Sequence, residues 1–259
     1  MKSVKIYHEP KLVNPCLIAA WPGVGNVALI AATYLKDGLG ATEFGEIEMC
    51  EFFDVDGVFI NDNIIEVPQL PTSKFYYWNS GDEGKDIIIL LAETQPGFKA
   101  YEYASTVIDV AQKFGVKRVY TLAASLTEHY PSNPRVLGAA SVPGLLDEFQ
   151  GLEVVLAGDF YIAGLNGLLL GVAKERGIEG LCLLGETAKY AAKIANPIAS
   201  QAVLRILTKL LGIEIDMAEM DEFVENMEKQ IKEISDEMRR EFLQRFTKPI
   251  WEREEYEEN

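Results

Sequence analysis

Residues 86–92 read Asp-Ile-Ile-Ile-Leu-Leu-Ala, and this stretch decides the fold class. A continuous apolar run of this length is typical of a strand in a parallel sheet that is covered on both faces. Val116 to Ala124 is predicted as another buried strand, although it has two basic residues near its start, and Leu12 to Ala20 is an apolar run of strand length that ends at Trp21-Pro22-Gly23. The three runs predict buried strands of such a sheet.

Segments with helical spacing lie between and after these runs. Val27 to Leu39 and Lys99 to Phe114 both end among glycines, and Pro197 to Leu211 begins with a proline, which is favoured at the first helical position. The other predicted elements are strands at Ala41 to Met49, Val154 to Ala157 and Leu181 to Leu184, a short helix at Pro143 to Phe149 and a helix at Leu165 to Ala173. Strands that alternate with helices specify an α/β domain with a mostly parallel sheet and helices on both faces.

The alternation breaks between Asp54 and Trp78. Asp-Gly, Asn-Asp-Asn and proline turn signals separate three short β-like pieces there, at Val58 to Ile60, Ile64 to Val67 and Phe75 to Trp78. We expect hairpins that are inserted into the sheet or lie at its edge.

The last part of the chain differs in composition from the rest. Residues 214–259 hold 16 acids and 7 bases, and glycine is absent after Gly212. We therefore predict an α/β domain over 1–213 and an acidic C-terminal helix and tail over 214–259, with a narrow apolar stripe at near-heptad spacing. The stripe packs either on its own domain or on another subunit; its residues are Met220, Val224, Met227, Ile231, Ile234, Met238 and Phe242.

Composition limits the classes of function. The net charge of −16 repels phosphate backbones and anionic lipid, so we expect neither nucleic acid nor a membrane as a partner. The three cysteines are scattered and lack CxxC spacing, which favours free thiols in a reducing compartment. The longest uncharged apolar stretch, Phe160 to Ala173, is too short to span a bilayer, and residues 1–5 lead into no signal region, so we expect a cytoplasmic protein.

A glycine-rich turn is the main candidate for a ligand site. Gly23-Val24-Gly25-Asn26 follows a predicted strand and opens a predicted helix, where backbone amides can approach an anion such as a nucleotide phosphate. Pro22 removes one amide from this turn, and any tight junction between a strand and a helix favours glycine. The turn therefore either binds an anion or is structural.

Two carboxylates follow other predicted strands and could face the same ligand. Glu128 lies in Ser125-Leu126-Thr127-Glu128-His129, and Glu186 lies in Gly185-Glu186-Thr187, where it could instead cap a helical stretch over 187–195. A Gly-x-Ser-x-Gly motif and a Walker motif are both missing, and two histidines cannot form a histidine-rich metal site. We predict no catalytic residue, no metal and no cofactor.

Four sequence blocks carry a resemblance to a known family. They are Trp21-Pro22-Gly23-Val24-Gly25-Asn26-Val27, Gly164-Leu165-Asn166-Gly167-Leu168-Leu169, Leu183-Leu184-Gly185-Glu186-Thr187, and Ala195-Asn196-Pro197 continuing to Asp216. In order and spacing they resemble the proteasome assembly chaperone 2 family. The resemblance implies a three-layer α/β/α domain of nucleoside-phosphorylase-like architecture, homo-oligomers, and binding to proteasome α-type subunits or a related partner without turnover.

Two positions depart from the family pattern. Ala123-Ala124 stand where members often have paired glycines, and the chain ends in Glu257-Glu258-Asn259, whereas some archaeal members end in hydrophobic-Tyr-any. The resemblance therefore does not extend to tail insertion into the proteasome ring. Some members carry an ATP-grasp ligase label, but no nucleotide-clamping lysine pair is recognisable here. We expect a non-enzymatic scaffold that works as a homo-oligomer; the alternative is an enzyme or sensor with an anion site at Gly23–Gly25.

Overall fold

The computed structural model describes residues 3–54, 57–81, 84–128, 131 and 133–229. The chain divides into two compact units, Met1–Asp216 and Met217–Asn259. The helices of the first unit are α1 (Val27–Gly38), α2 (Ala100–Lys113), α3 (Leu165–Glu175) and α4 (Pro197–Leu211). Its strands are β1 (Val4–Ile6), β2 (Cys16–Ala20), β3 (Thr42–Ile47), β4 (Ile60–Asn61), β5 (Ile64–Ile65), β6 (Ser73–Trp78), β7 (Ile87–Ala92), β8 (Arg118–Thr127), β9 (Val136–Ala140), β10 (Val154–Val155) and β11 (Glu179–Ala188).

The strands form one large sheet and one small hairpin. The large sheet has the order β1-β3-β6-β7-β2-β8-β11-β9-β10, and β7, β2, β8 and β11 at its centre are mutually parallel. The three apolar runs that predicted buried parallel strands are thus β7, β2 and β8, which are neighbours. Antiparallel pairs flank this centre, β6 beside β7 and β9 beside β11.

Helices cover both faces of the sheet, which confirms the three-layer α/β/α architecture. On one face α1 packs on β2, β7 and β8 and against α4, and on the other α3 packs on β8 and β11 and against α2. The large apolar cluster on the second face includes Leu17, Ala19, Ile88 and Leu90 from the central strands, with Val107 of α2. Because successive strand residues point to opposite faces, Ile18 and Ile89 are buried on the first.

Several elements differ from the sequence prediction, among them β1, for which no strand was predicted. β11 extends over Glu179–Ala188, well beyond the predicted Leu181 to Leu184, because all ten of its residues pair in register with β8. The helix predicted over 187–195 is therefore wrong: its first two residues complete the strand, and a short 3₁₀ turn follows at Lys189–Ala191. β9 was not predicted at all, because its Gly-Ala-Ala sequence lacks the bulky apolar residues that mark strands.

The second unit begins with a helix over 218–229 within the described residues. Met220 and Val224 of the C-terminal stripe are buried, and Met227 is half-buried. Ile231, Ile234, Met238 and Phe242 lie outside the described residues. Among the described helices, none is both long enough and apolar enough to cross a membrane.

Candidate functional site at the carboxyl edge of the sheet

Open α/β sheets bind ligands where the carboxyl ends of parallel strands meet, so this edge is the first place to look for a site. β2 ends there in the turn Trp21 to Asn26. The buried Trp21 anchors the turn, because its Nε1 donates a hydrogen bond of 3.3 Å to Tyr103 Oη, which lies 2.6 Å from Ser73 Oγ. Burial raises the pKa of Tyr103 to about 12, so the hydroxyl stays protonated.

Hydrogen bonds join this turn to the segment that follows β11. Gly25 N donates to Ala192 O at 2.8 Å, and Asn196 N donates to Gly25 O at 2.7 Å. The Asn196 side chain donates to Thr187 Oγ1 at 3.2 Å and accepts from Ala199 N at 3.0 Å, which caps α4. We call Gly25, Thr187, Ala192 and Asn196 the carboxyl-edge clip.

Glycine is required at position 25 for two reasons. Its φ of +60° lies in the left-handed region, and a Cβ there would lie 3.0 Å from Asn196 Cβ and 3.5 Å from Thr187 Cγ2. Gly23 differs, because its φ is −167° and a Cβ there would meet nothing within 4 Å. The glycine that decides this junction is therefore Gly25.

Of the amides that were predicted to bind an anion, those of Gly25 and Asn26 donate hydrogen bonds within the protein. Gly25 N donates to Ala192 O, and Asn26 N donates to Gly23 O at 3.0 Å. Asn26 begins α1 with a left-handed φ of 49°, and its side chain makes no cap hydrogen bond. Anion binding at this turn stays a prediction, and the geometry accounts for Gly25 by packing and hydrogen bonding alone.

A glutamine that was not singled out in the sequence joins β2 to α3. Gln95 Nε2 donates to Pro22 O at 3.0 Å, and its Oε1 accepts from Leu165 N, the first amide of α3, at 3.3 Å. Gly164 has a φ of +72°, and a Cβ there would lie 2.7 Å from Gln95 Oε1. The position of Gln95 just after the central strand β7 was the available signal.

Glu186 is a buried carboxylate with its own cation. Its Oε1 accepts from Arg135 Nε at 2.9 Å and also from Arg135 Nη2, and its Oε2 accepts from Arg135 N at 3.1 Å. These hydrogen bonds lower the pKa of Glu186 against the opposing effect of burial. The alternative helix-cap role for Glu186 is wrong, because the residue lies inside β11. Both of its carboxylate oxygens accept hydrogen bonds from Arg135, a partner that the sequence did not predict.

The four blocks of the family resemblance meet at this edge. Gly25 of the first block contacts Thr187 of the third and Asn196 of the fourth, and Gln95 links the first block to Leu165 of the second. The PAC2 family model matches residues 17–235 of the chain. The chain belongs to the PAC2 family. The resemblance read from the four blocks is thereby confirmed.

Relatives and solved structures agree with this membership. An uncharacterised protein of Methanocaldococcus jannaschii is 31% identical over 229 residues, which cover 87% of this chain and 84% of that protein. The crystal structure of Pyrococcus furiosus PbaB, an archaeal proteasome activator, is similar with a TM-score of 0.78 and 33% identity, and the match covers 91% of this chain and all of that one (100%). Pyrococcus furiosus PbaA, an archaeal homolog of proteasome-assembly chaperone, matches in fold with a TM-score of 0.68 and 24% identity over 92% of this chain and 98% of that one.

Outside the carboxyl-edge clip of this PAC2 protein, the same edge of the sheet exposes apolar side chains to solvent. Leu126 near the end of β8 is exposed, and so are Tyr190 and Ile194 in the segment after β11. We call these three residues the carboxyl-edge patch. Glu128, the remaining predicted ligand residue, lies beside the patch and forms an exposed ion pair with Lys189.

A cleft of about 700 Å³ opens beside the start of α3. It runs between α3 and β9, where Ala139, Ala140 and Gly171 leave room, and its lining is largely apolar. Gln95 lies at the cleft, as do Lys174 and the exposed Tyr161. A cleft of this volume can take a small molecule or an apolar segment of a protein.

The described residues offer no metal site, since no three or more histidine, cysteine, aspartate or glutamate side chains among them are placed to hold an ion. His8 packs edge-on against Tyr77, with ring centroids 5.5 Å apart, and His129 lies outside the described residues. Burial raises the pKa of the Cys16 and Cys182 thiols to about 12, which keeps both protonated and poor as nucleophiles.

Proposed function

We propose that this PAC2 protein is a non-enzymatic chaperone that binds proteasome α-type subunits and works as a homo-oligomer. The family and the similarity to PbaB, described as an archaeal proteasome activator, support a chaperone-like role linked to the proteasome. At 33% identity over 91% of the chain, the likeness to PbaB extends beyond the fold.

The observation that carries the proposal is that polar groups at the carboxyl edge of the sheet are hydrogen-bonded within the protein. An α/β enzyme uses this edge to present amides and carboxylates to a substrate. Here the amides of Gly25 and Asn26 serve carbonyl groups of the same chain, and the carboxylate of Glu186 serves Arg135. These two amides and this carboxylate are thus engaged in holding the edge together.

The surface left beside these groups suits a protein partner. Tyr190 and Ile194 are exposed, on a segment that the hydrogen bonds of Ala192 and Asn196 fix to the turn after β2. Apolar and aromatic side chains on a rigid segment lose little conformational entropy on binding, which is typical of residues that dominate protein interfaces. We infer that the carboxyl-edge patch contacts the α-type subunit.

Binding of purified α-type subunits to the full chain tests this function directly. Replacing Tyr190 and Ile194 together with aspartate should weaken binding at least tenfold in isothermal titration calorimetry. Both side chains are exposed, so the unfolding midpoint should stay unchanged. Val13→Asp changes an exposed apolar residue elsewhere and should bind like the original chain. If the original chain shows no binding to α-type subunits, the proposed function is wrong.

The cleft beside α3 supports one second candidate, a small-molecule enzyme or sensor. In this second candidate function the ligand binds in the cleft and not at the Gly23–Gly25 turn, and the Lys174 side chain supplies a positive charge there. A thermal-shift screen with nucleotides, nucleosides and phosphosugars separates the two functions. Stabilisation by one of these compounds that Lys174→Ala abolishes would favour the second candidate, and no stabilisation by any of them would remove it.

A further inference from the structure

The small hairpin of β4 and β5 is the most exposed apolar element of the first unit. Ile60 pairs with Ile65 and Asn61 with Ile64, and Glu66 N donates to Phe59 O at 2.9 Å. Asp62 and Asn63 make the turn with φ values of 49° and 64°, both positive as in the tight turns that favour hairpins. We call residues 58–67 the apolar hairpin.

The large side chains of the apolar hairpin are exposed on both of its faces. The exposed fractions are 46% for Val58, 73% for Phe59, 68% for Ile60, 70% for Ile64, 70% for Ile65 and 78% for Val67. Ile64 and Ile65 are adjacent, so their side chains point to opposite faces, yet both are exposed to the same degree. Neither face is covered within the described part of the chain.

The exposed apolar area of this one hairpin equals that of the largest patch on a typical monomer, which is often functional, and supplies much of what one partner buries in an interface. At about 60–120 Å² for a Val or Ile side chain and about 150–250 Å² for Phe59, these fractions leave on the order of 300–600 Å² of apolar surface in contact with water. The largest apolar patch on a typical monomer is about 300–600 Å². A standard protein interface buries about 800 Å² per partner.

The backbone of the apolar hairpin also lacks partners that a stable sheet needs. Within the described residues β4 and β5 pair only with each other, so the outer edge of each strand is unpaired. A two-stranded hairpin is marginally stable in water and becomes stable with further strands or a packed face. A partner that adds strands or covers a face would satisfy both the backbone and the side chains.

We propose that the apolar hairpin is where a second copy of this chain binds, hairpin against hairpin, about a twofold axis. Permanent interfaces between identical subunits are more apolar and poorer in charge than transient ones, and the described residues of this hairpin carry charge only at Asp62 and Glu66. An apolar hairpin that waited for a transient partner would be an aggregation hazard, whereas a second copy is present from synthesis onward. A twofold axis also matches like surfaces on both copies.

This proposal names the surface for the self-association in the proposed function, and its test uses the chain alone. We expect the full chain to be an oligomer by size-exclusion chromatography with light scattering. Replacing Ile60 and Ile65 together with lysine should reduce the mass at least twofold, while Val13→Lys should leave it unchanged. A monomeric original chain, or an unchanged mass in the double variant, overturns the proposal.

Hydrogen–deuterium exchange provides a second measurement that needs no variant. The amides of residues 60–66 should exchange at least tenfold more slowly than in an unstructured peptide, because the paired copy protects them. Exchange at the unstructured rate in the oligomer overturns the proposal even where the double variant fails to fold. Failure here leaves binding to α-type subunits untouched, since calorimetry measures that binding separately.

Discussion

The carboxyl-edge clip and the apolar hairpin use their residues in opposite ways. In the clip, Gly25, Thr187 and Asn196 are buried and hydrogen-bonded to one another. In the hairpin, large apolar side chains such as Phe59 and Ile64 are exposed on both faces. Three of the four blocks that identify the family each contribute one residue to the clip, where these residues hold the edge of the sheet together. The residues that identify the family are thus mostly buried, whereas the hairpin that we propose as the contact between two copies is exposed.

The largest expected effect comes from breaking the clip at its tightest point. Gly25→Ala would force a left-handed backbone on alanine and place its Cβ 3.0 Å from Asn196 Cβ. We expect a loss of about 2–5 kcal/mol in the free energy of unfolding, measured by urea denaturation. Gly23→Ala is the matched control and should cost less than about 1 kcal/mol. Equal losses in the two variants would mean that the clip does not hold the turn.

Asn196 tests the polar half of the clip. Asn196→Ala removes the cap of α4 and leaves Thr187 Oγ1 without its donor, so we expect a loss of about 2 kcal/mol in urea denaturation. Asn196→Asp keeps an acceptor for Ala199 N and allows the Thr187 hydroxyl to donate, so it should cost less than half as much. If aspartate is as damaging as alanine, the amide group has a role that the cap does not explain.

The comparison also shows how far the sequence could predict this structure. The apolar sequences of β7, β2 and β8 predicted the parallel centre of the sheet, because a strand that is buried on both faces needs apolar residues at nearly every position. Pro197 correctly predicted the first residue of α4, because proline is favoured at the first position of a helix whatever the rest of the chain does. The roles of Gln95 and Arg135 were not predicted, because a hydrogen bond between residues far apart in the chain produces no recognisable pattern in the sequence around either residue.

The exposed apolar hairpin and the C-terminal stripe were predicted only in part. The hairpin over 58–67 was predicted from its turn residues, but its exposure on both faces was not, since exposure depends on what the rest of the chain covers. The C-terminal stripe shows the converse: its spacing predicted an apolar stripe, and its first two residues, Met220 and Val224, are buried. Its role as an interface over Met227 to Phe242 stays a prediction.

The ion pair at the edge of the clip should depend on pH. Glu186→Gln should lower stability at pH 7 by only about 1 kcal/mol, because the Arg135 side chain is exposed and water screens the pair. The pKa of Glu186 is lowered on folding, so its contribution is complete above the ordinary glutamate pKa of about 4.3 and is lost as the pH falls through the lower folded value. The difference between the two proteins in urea denaturation should thus begin to shrink as the pH falls below about 4.3 and continue to shrink as the acid titration proceeds. A difference that stays constant on acidification would exclude this pair as its cause.

The smallest expected effect concerns the hairpin in dilute solution. Ile64→Thr changes a side chain that is 70% exposed, so at low protein concentration it should alter the free energy of unfolding by less than about 0.5 kcal/mol. At high concentration association stabilises the original chain by mass action, so its melting temperature should rise with concentration more steeply than that of the variant. Calorimetric melts over a hundredfold concentration range measure both slopes, with Val13→Thr as the control that should follow the original chain. Parallel slopes for Ile64→Thr and the original chain would show that the hairpin, like the clip, serves only its own subunit.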